Sequence, residues 1–68
     1  MISIGEKIRE LRKFNNLSQT KFAEKLQTTQ DTVSLWELGK SYPDIESIVK
    51  ICTLFNVSAD YLLGLKEI

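Results

Sequence analysis

The chain has 68 residues, enough for one small domain, and a domain of this size buries only roughly 60% of the surface its unfolded form exposes. An apolar content of 43% excludes disorder and suits a globular fold. Nine basic and nine acidic residues cancel, so the chain lacks the overall basic charge that gives strong non-specific affinity for nucleic acid.

The N-terminal stretch MISIGEKIRE has no basic segment followed by an apolar core, so it does not read as a secretory signal. Ser3-Ile4-Gly5-Glu6 reads as a capping box, with Ser3 at the N-cap and Glu6 three residues on. Ile4, Ile8 and Leu11 then follow helical spacing, with Lys7, Arg9, Arg12 and Lys13 on the polar side. This predicts a helix over 4–14, ended by Asn15-Asn16, because Asn tolerates the left-handed conformation. Ser18 caps a second helix over 19–26, with Leu17 and Phe22 as a hydrophobic staple and Phe22, Ala23 and Leu26 as its inner face. Gln27-Thr28-Thr29 is a turn. Thr29 caps a third helix over 30–38, with Val33, Trp36 and Leu38 facing inward and Gly39 stopping it.

Ser41-Tyr42-Pro43 reads as a loop, and Asp44 caps a fourth helix over 45–55. Its apolar face is broad: Ile45, Ile48, Val49, Cys52 and Phe55, widened by Ile51 and Leu54. Asn56 ends it. Ser58 caps a fifth helix over 59–63, with Val57 and Leu62 as a staple, and Gly64 ends that helix. The expectation is an all-α, compact five-helix bundle forming a single domain over residues 1–68.

Most function classes are excluded early. One cysteine, Cys52, permits no intrachain disulfide; one thiol and no His permit no Cys/His zinc site. This fits a reducing, cytoplasmic setting, with Cys52 an inert core thiol. No apolar run approaches the ~20 residues that span a bilayer, and no helix is both basic and strongly amphipathic. Without His or a glycine-rich phosphate loop, no enzyme is expected. Paired carboxylates such as Asp44 and Glu46 lie at a helix start, where they complement the dipole. No cofactor, metal or small-molecule ligand is expected.

The segment 18–38 carries the positive reading. Two short helices joined by a three-residue turn need a small residue where their backbones come closest, and Ala23 supplies it, with Val33 facing it from the next helix. That is the layout of a helix-turn-helix, which places its second helix in the major groove of DNA. Residues 1–40 carry net charge +2 and residues 41–68 net −2, so the half of the chain that contains this motif is the more positive.

In detail the chain is similar to the Cro/phage-repressor type helix-turn-helix family, often called XRE-like. The matching residues are Leu17-Ser18-Gln19, Phe22-Ala23-Glu24-Lys25-Leu26, Val33-Ser34, Trp36-Glu37, Gly39-Lys40, Pro43 and Asp60-Tyr61-Leu62-Leu63-Gly64. They cover roughly residues 4–64 in register. The resemblance implies a lambda repressor-like fold and a sequence-specific, double-stranded DNA-binding transcriptional regulator, a dimeric repressor of phage or mobile-element type.

It also implies roles. Gln19 contacts a phosphate at the start of the second helix. Gln30, Asp31, Ser34 and Leu35 face base edges, with Gln30 able to pair with adenine, Asp31 with cytosine N4, and Leu35 with a thymine methyl. Thr29, Lys40, Ser41 and Tyr42 lie along a phosphate strand. Glu37 ties the third helix to the first, through Arg9 or Arg12. The apolar tail, Tyr61, Leu63, Leu65 and Ile68, is the expected homodimer surface.

Two departures from the family pattern stand out. Gln27 and Thr28 hold turn positions where the family has glycine and then an apolar residue, and a non-glycine residue in the left-handed region costs about 1–2 kcal/mol. Leu35 and Asp31 also leave the reading face poor in positive charge, so binding is expected to rest on specific contacts and dimerisation. The competing class is a helix-turn-helix scaffold that binds protein or acts as an antirepressor without tight DNA binding.

Overall fold

The computed structural model describes residues 3–65. Those residues form α1 (Ile4–Phe14), α2 (Gln19–Leu26), α3 (Gln30–Glu37), α4 (Ile45–Phe55) and α5 (Ala59–Leu62). The predicted boundaries hold to within one residue; α3 and α5 each stop one residue sooner than expected.

Each helix is delimited by its own local chemistry. Ser3, Ser18, Thr29, Asp44 and Ser58 accept from the backbone amides of Glu6, Lys21, Thr32, Ser47 and Tyr61, one orphan donor satisfied per helix. The far ends are equally uniform. Asn16, Gln27, Gly39, Asn56 and Gly64 all have positive φ. Beyond each, the next amide returns to the carbonyl five residues back: Leu17 to Arg12, Thr28 to Ala23, Lys40 to Leu35, Val57 to Cys52 and Leu65 to Asp60. These are Schellman-type closures.

The core is Ile8 and Leu11 of α1, Phe22, Ala23 and Leu26 of α2, Val33 and Trp36 of α3, Ile51 of α4 and Leu62 of α5. Phe22 stacks on Phe55 with ring centroids 5.3 Å apart, pinning α2 to α4. Residue 5 must be glycine for a packing reason. A Cβ there would collide with the backbone carbonyl oxygen of Trp36, so α1 lies directly against the end of α3.

Two core assignments need correction. Leu38 is 66% exposed, because α3 ends at Glu37 and Leu38 already belongs to the closing turn. On α4 only Ile51 is buried, while Ile45, Val49 and Leu54 are exposed and Ile48, Cys52 and Phe55 half-buried. α4 packs mainly on α2 and α5, and those two short helices cover one stripe of it. Cys52 is thus at the edge of the core, and burial pushes its thiol pKa up, away from the reactive thiolate.

Candidate nucleic-acid interface

α2 and α3 meet over the turn Gln27-Thr28-Thr29. Ala23 and Val33 are both buried in the shared core, so the small residue lies where the two helices approach. Gln27 adopts φ 60°, ψ 41°, the left-handed conformation that glycine would take without strain. Its side-chain oxygen lies 3.4 Å from Lys50 Nζ, and the same ammonium is 3.5 Å from the carbonyl oxygen of Leu26. A cation from α4 therefore stands at the C-terminal end of α2, where the helix dipole favours it. Thr28 is half-buried.

Four side chains join α1, α2 and α3. Arg12 Nε donates to Glu37 Oε2 at 2.7 Å and Arg12 Nη2 to Glu37 Oε1 at 3.1 Å, a bidentate pair. Arg12 Nη1 donates to the carbonyl of Leu17 at 2.9 Å. The side chains of Arg12 and Glu37 are only 12% and 5% exposed. The hydrogen bond that Arg12 donates to Glu37 raises the Arg12 pKa against the opposing effect of burial, so the guanidinium stays charged. Gln19 Nε2 donates to Glu37 Oε1 at 3.1 Å, and Gln30 Nε2 donates to Gln19 Oε1 at 2.7 Å. Of the two arginines considered for Glu37, Arg12 is the partner. The continuation through Gln19 to Gln30 was not foreseen: residues 12, 19, 30 and 37 carry no local spacing signal, and only the fold brings them together.

The base-reading candidates lie on one face of α3. Gln30 and Asp31 are exposed, Leu35 is 42% exposed and Ser34 is half-buried, while Val33 and Trp36 hold the opposite face in the core. The phosphate candidates divide. Lys40 and Tyr42 are exposed in the loop after α3, with Ser41 half-buried beside them. Thr29 has its hydroxyl engaged with Thr32, in the N-cap bond and in a side-chain contact of 2.9 Å. Gln19 has its amide in the four-residue chain described above. Lys21 on α2 lies 3.5 Å from Glu24, an exposed pair of little energetic weight.

Of the tail residues, Tyr61 is half-buried, with Lys7 Nζ 4.6 Å from its ring centroid, and Lys7 is itself buried. Leu63 and Leu65 are exposed. Ile68 lies outside the described residues.

A helix pair crossing over a tight turn, with the second helix anchored on one face and open on the other, defines the helix-turn-helix class. The chain belongs to the XRE-type helix-turn-helix family: the family model described as "Helix-turn-helix domain" matches residues 5–68. It is 39% identical over 67 residues to the HTH-type transcriptional activator BcrR of Enterococcus faecalis, covering 98% of this chain and 33% of that protein. It is 36% identical over 67 residues to the HTH-type transcriptional regulator ImmR of Bacillus subtilis, covering 98% of this chain and 53% of that one. The chain thus spans between a third and about half the length of these two relatives. Among solved structures, the P22 c2 repressor in complex with a synthetic operator superposes with a TM-score of 0.89 at 26% identity, over 97% of this chain and all of that one.

Proposed function

We propose that residues 1–68 form the DNA-binding domain of a transcriptional regulator that reads a near-palindromic double-stranded operator as a homodimer. The observation that carries the reading is the two-sidedness of α3. Val33 and Trp36 fix it to the core, while Gln30, Asp31 and Leu35 are exposed on the other side. The likeness to a repressor crystallised with its operator supports the same docking, with α3 in the major groove.

In this reading Gln30, Asp31, Ser34 and Leu35 meet base edges, and Lys40, Ser41 and Tyr42 meet phosphates. Thr29 and Gln19 contribute there chiefly through the backbone amides at the starts of α3 and α2, since their side chains already have partners. The dimer forms through Tyr61, Leu63, Leu65 and Ile68, setting two α3 helices about 34 Å apart. Occupation of promoter DNA then represses transcription, in the cytoplasm and without catalysis.

The test is selection of bound duplexes from a random pool at fixed salt. A recovered palindrome is the expected result, and on it Gln30→Ala should cost about 1–3 kcal/mol and relax preference at one base pair. No enrichment by a folded protein would transfer the α3 face to a protein partner.

A further inference from the structure

The end of α1 borders an apolar groove of about 440 Å³. Leu11 and Phe14 of α1, Phe55 of α4, Val57 and Tyr61 of α5 line it, together with the exposed Glu10. Phe14 is 85% exposed, and Glu10 has no ion pair among the described residues. Glu10 and Phe14 lie one turn apart on α1, roughly 160° round the helix from Arg12. Arg12 and Gly5 hold α1 against α3. The groove is thus on the side of α1 turned away from α3, clear of the surface proposed to meet DNA.

The chain after α5 emerges beside this groove. The amide of Leu65 donates to the carbonyl of Asp60 at 2.8 Å, which brings the backbone back next to Tyr61. Leu65 is 70% exposed, so the chain stands off its own domain at that point. Lys66, Glu67 and Ile68 follow. They carry what the groove lacks: a cation for Glu10 and an apolar side chain for its walls. In an extended segment, residues two apart share a side and are about 6.5 Å apart. On a helix, residues one turn apart are separated by about 5–6 Å. Lys66 and Ile68 therefore match Glu10 and Phe14 in charge, in apolarity and in spacing.

We propose that the groove receives residues 66–68 of a second copy of the chain, with Lys66 against Glu10 and Ile68 among Phe14, Phe55 and Val57. This rests on the homodimer proposed above and names the surface on which Ile68 docks. Tyr61 belongs both to the groove and to that dimer contact, so the groove opens where the second copy lies. A two-fold axis uses the contact twice, once in each groove.

The experiment is sedimentation at fixed low salt, because exposed ion pairs are screened as salt rises. The variants are Phe14→Ser, Glu10→Lys, Lys66→Glu and the double variant Glu10→Lys with Lys66→Glu, each checked for helix content by circular dichroism. Phe14 and Glu10 are exposed, so the fold tolerates their exchange. Phe14→Ser should raise the dimer dissociation constant about 10-fold or more. Each single charge reversal sets like charges together in both grooves and should raise it about 5-fold or more, and the double variant should recover. The decisive sample is a 1:1 mixture of Glu10→Lys with Lys66→Glu. If the segment crosses between copies, the mixed dimer has an opposite-charge pair in both grooves, so the mixture should dimerise nearly as well as wild type.

A mixture no tighter than its two parts would overturn the proposal, and recovery in the double variant alone would then put the segment in its own groove. A dimer indifferent to all four variants would leave the groove out of the contact. Wild type that stays monomeric at every concentration would instead overturn the homodimer itself, so the two failures are distinguishable.

Discussion

Gln27 sits at φ 60° in the turn between α2 and α3, where side chains other than glycine and asparagine are strained. Its contact with Lys50 at 3.4 Å is long and exposed, and offsets little of that strain. Gln27→Gly should therefore stabilise the domain by about 1 kcal/mol, read as a higher midpoint in urea with the slope unchanged. A lower midpoint would mean that the Lys50 contact outweighs the backbone strain. The left-handed turn was legible only through the family pattern, which has glycine at the position Gln27 holds; the residues alone gave a turn over Gln27-Thr28-Thr29 and not its conformation. The Gln19–Gln30 bond was not legible. An amide reaches several partners by rotation, and which one it meets depends on where a second helix lies.

At the scale of the helices, the ends are set locally and the faces are set by neighbours. The five caps were readable because each is a short polar side chain satisfying an amide three residues on. The Asp44 carboxyl is held below the usual carboxylate range by hydrogen bonding from Ser47, first from its side chain and then from its amide. A lowered folded pKa means stability that is complete above the ordinary carboxylate range and is lost as pH falls through the folded value. Asp44→Asn keeps the capping geometry and should flatten the acid side of the melting-temperature profile. An unchanged acid limb would show that the cap does not couple to protonation.

The faces were harder to read. α4 carries a broad apolar face, and the sequence pattern does not record that only one stripe of it is covered. Gly5 read as part of a capping box, yet it marks the contact between α1 and the end of α3. Gly5→Ala should push α1 off Trp36 and cost about 1–3 kcal/mol in chemical denaturation. A neutral result would require that α1 can slide without loss.

For the molecule as a whole, the Cα extents are 27 × 24 × 22 Å. Half-sites one turn of DNA apart are separated by about 34 Å, further than one copy reaches. In the proposed dimer, the exposed Leu63 and Leu65 after α5 offer apolar surface for the contact between two copies. Leu65→Asp should shift sedimentation towards monomer and weaken operator binding by mass action, leaving the affinity for a single half-site unchanged. An unaltered dimer would move the interface to another surface, of which the exposed Ile45 and Val49 on α4 are the first to examine.

The bond between Gln19 and Gln30 also bears on how such a domain acquires a new target. Asp31 and Leu35 have no side-chain hydrogen bond among the described residues, so each can be exchanged alone without orphaning a partner. Residue 30 differs. Exchanging it removes the protein donor to Gln19 Oε1, and exchanging Gln19 releases the Gln30 amide. Libraries meant to redirect this protein should vary residues 31, 34 and 35 independently but treat 19 and 30 as one letter.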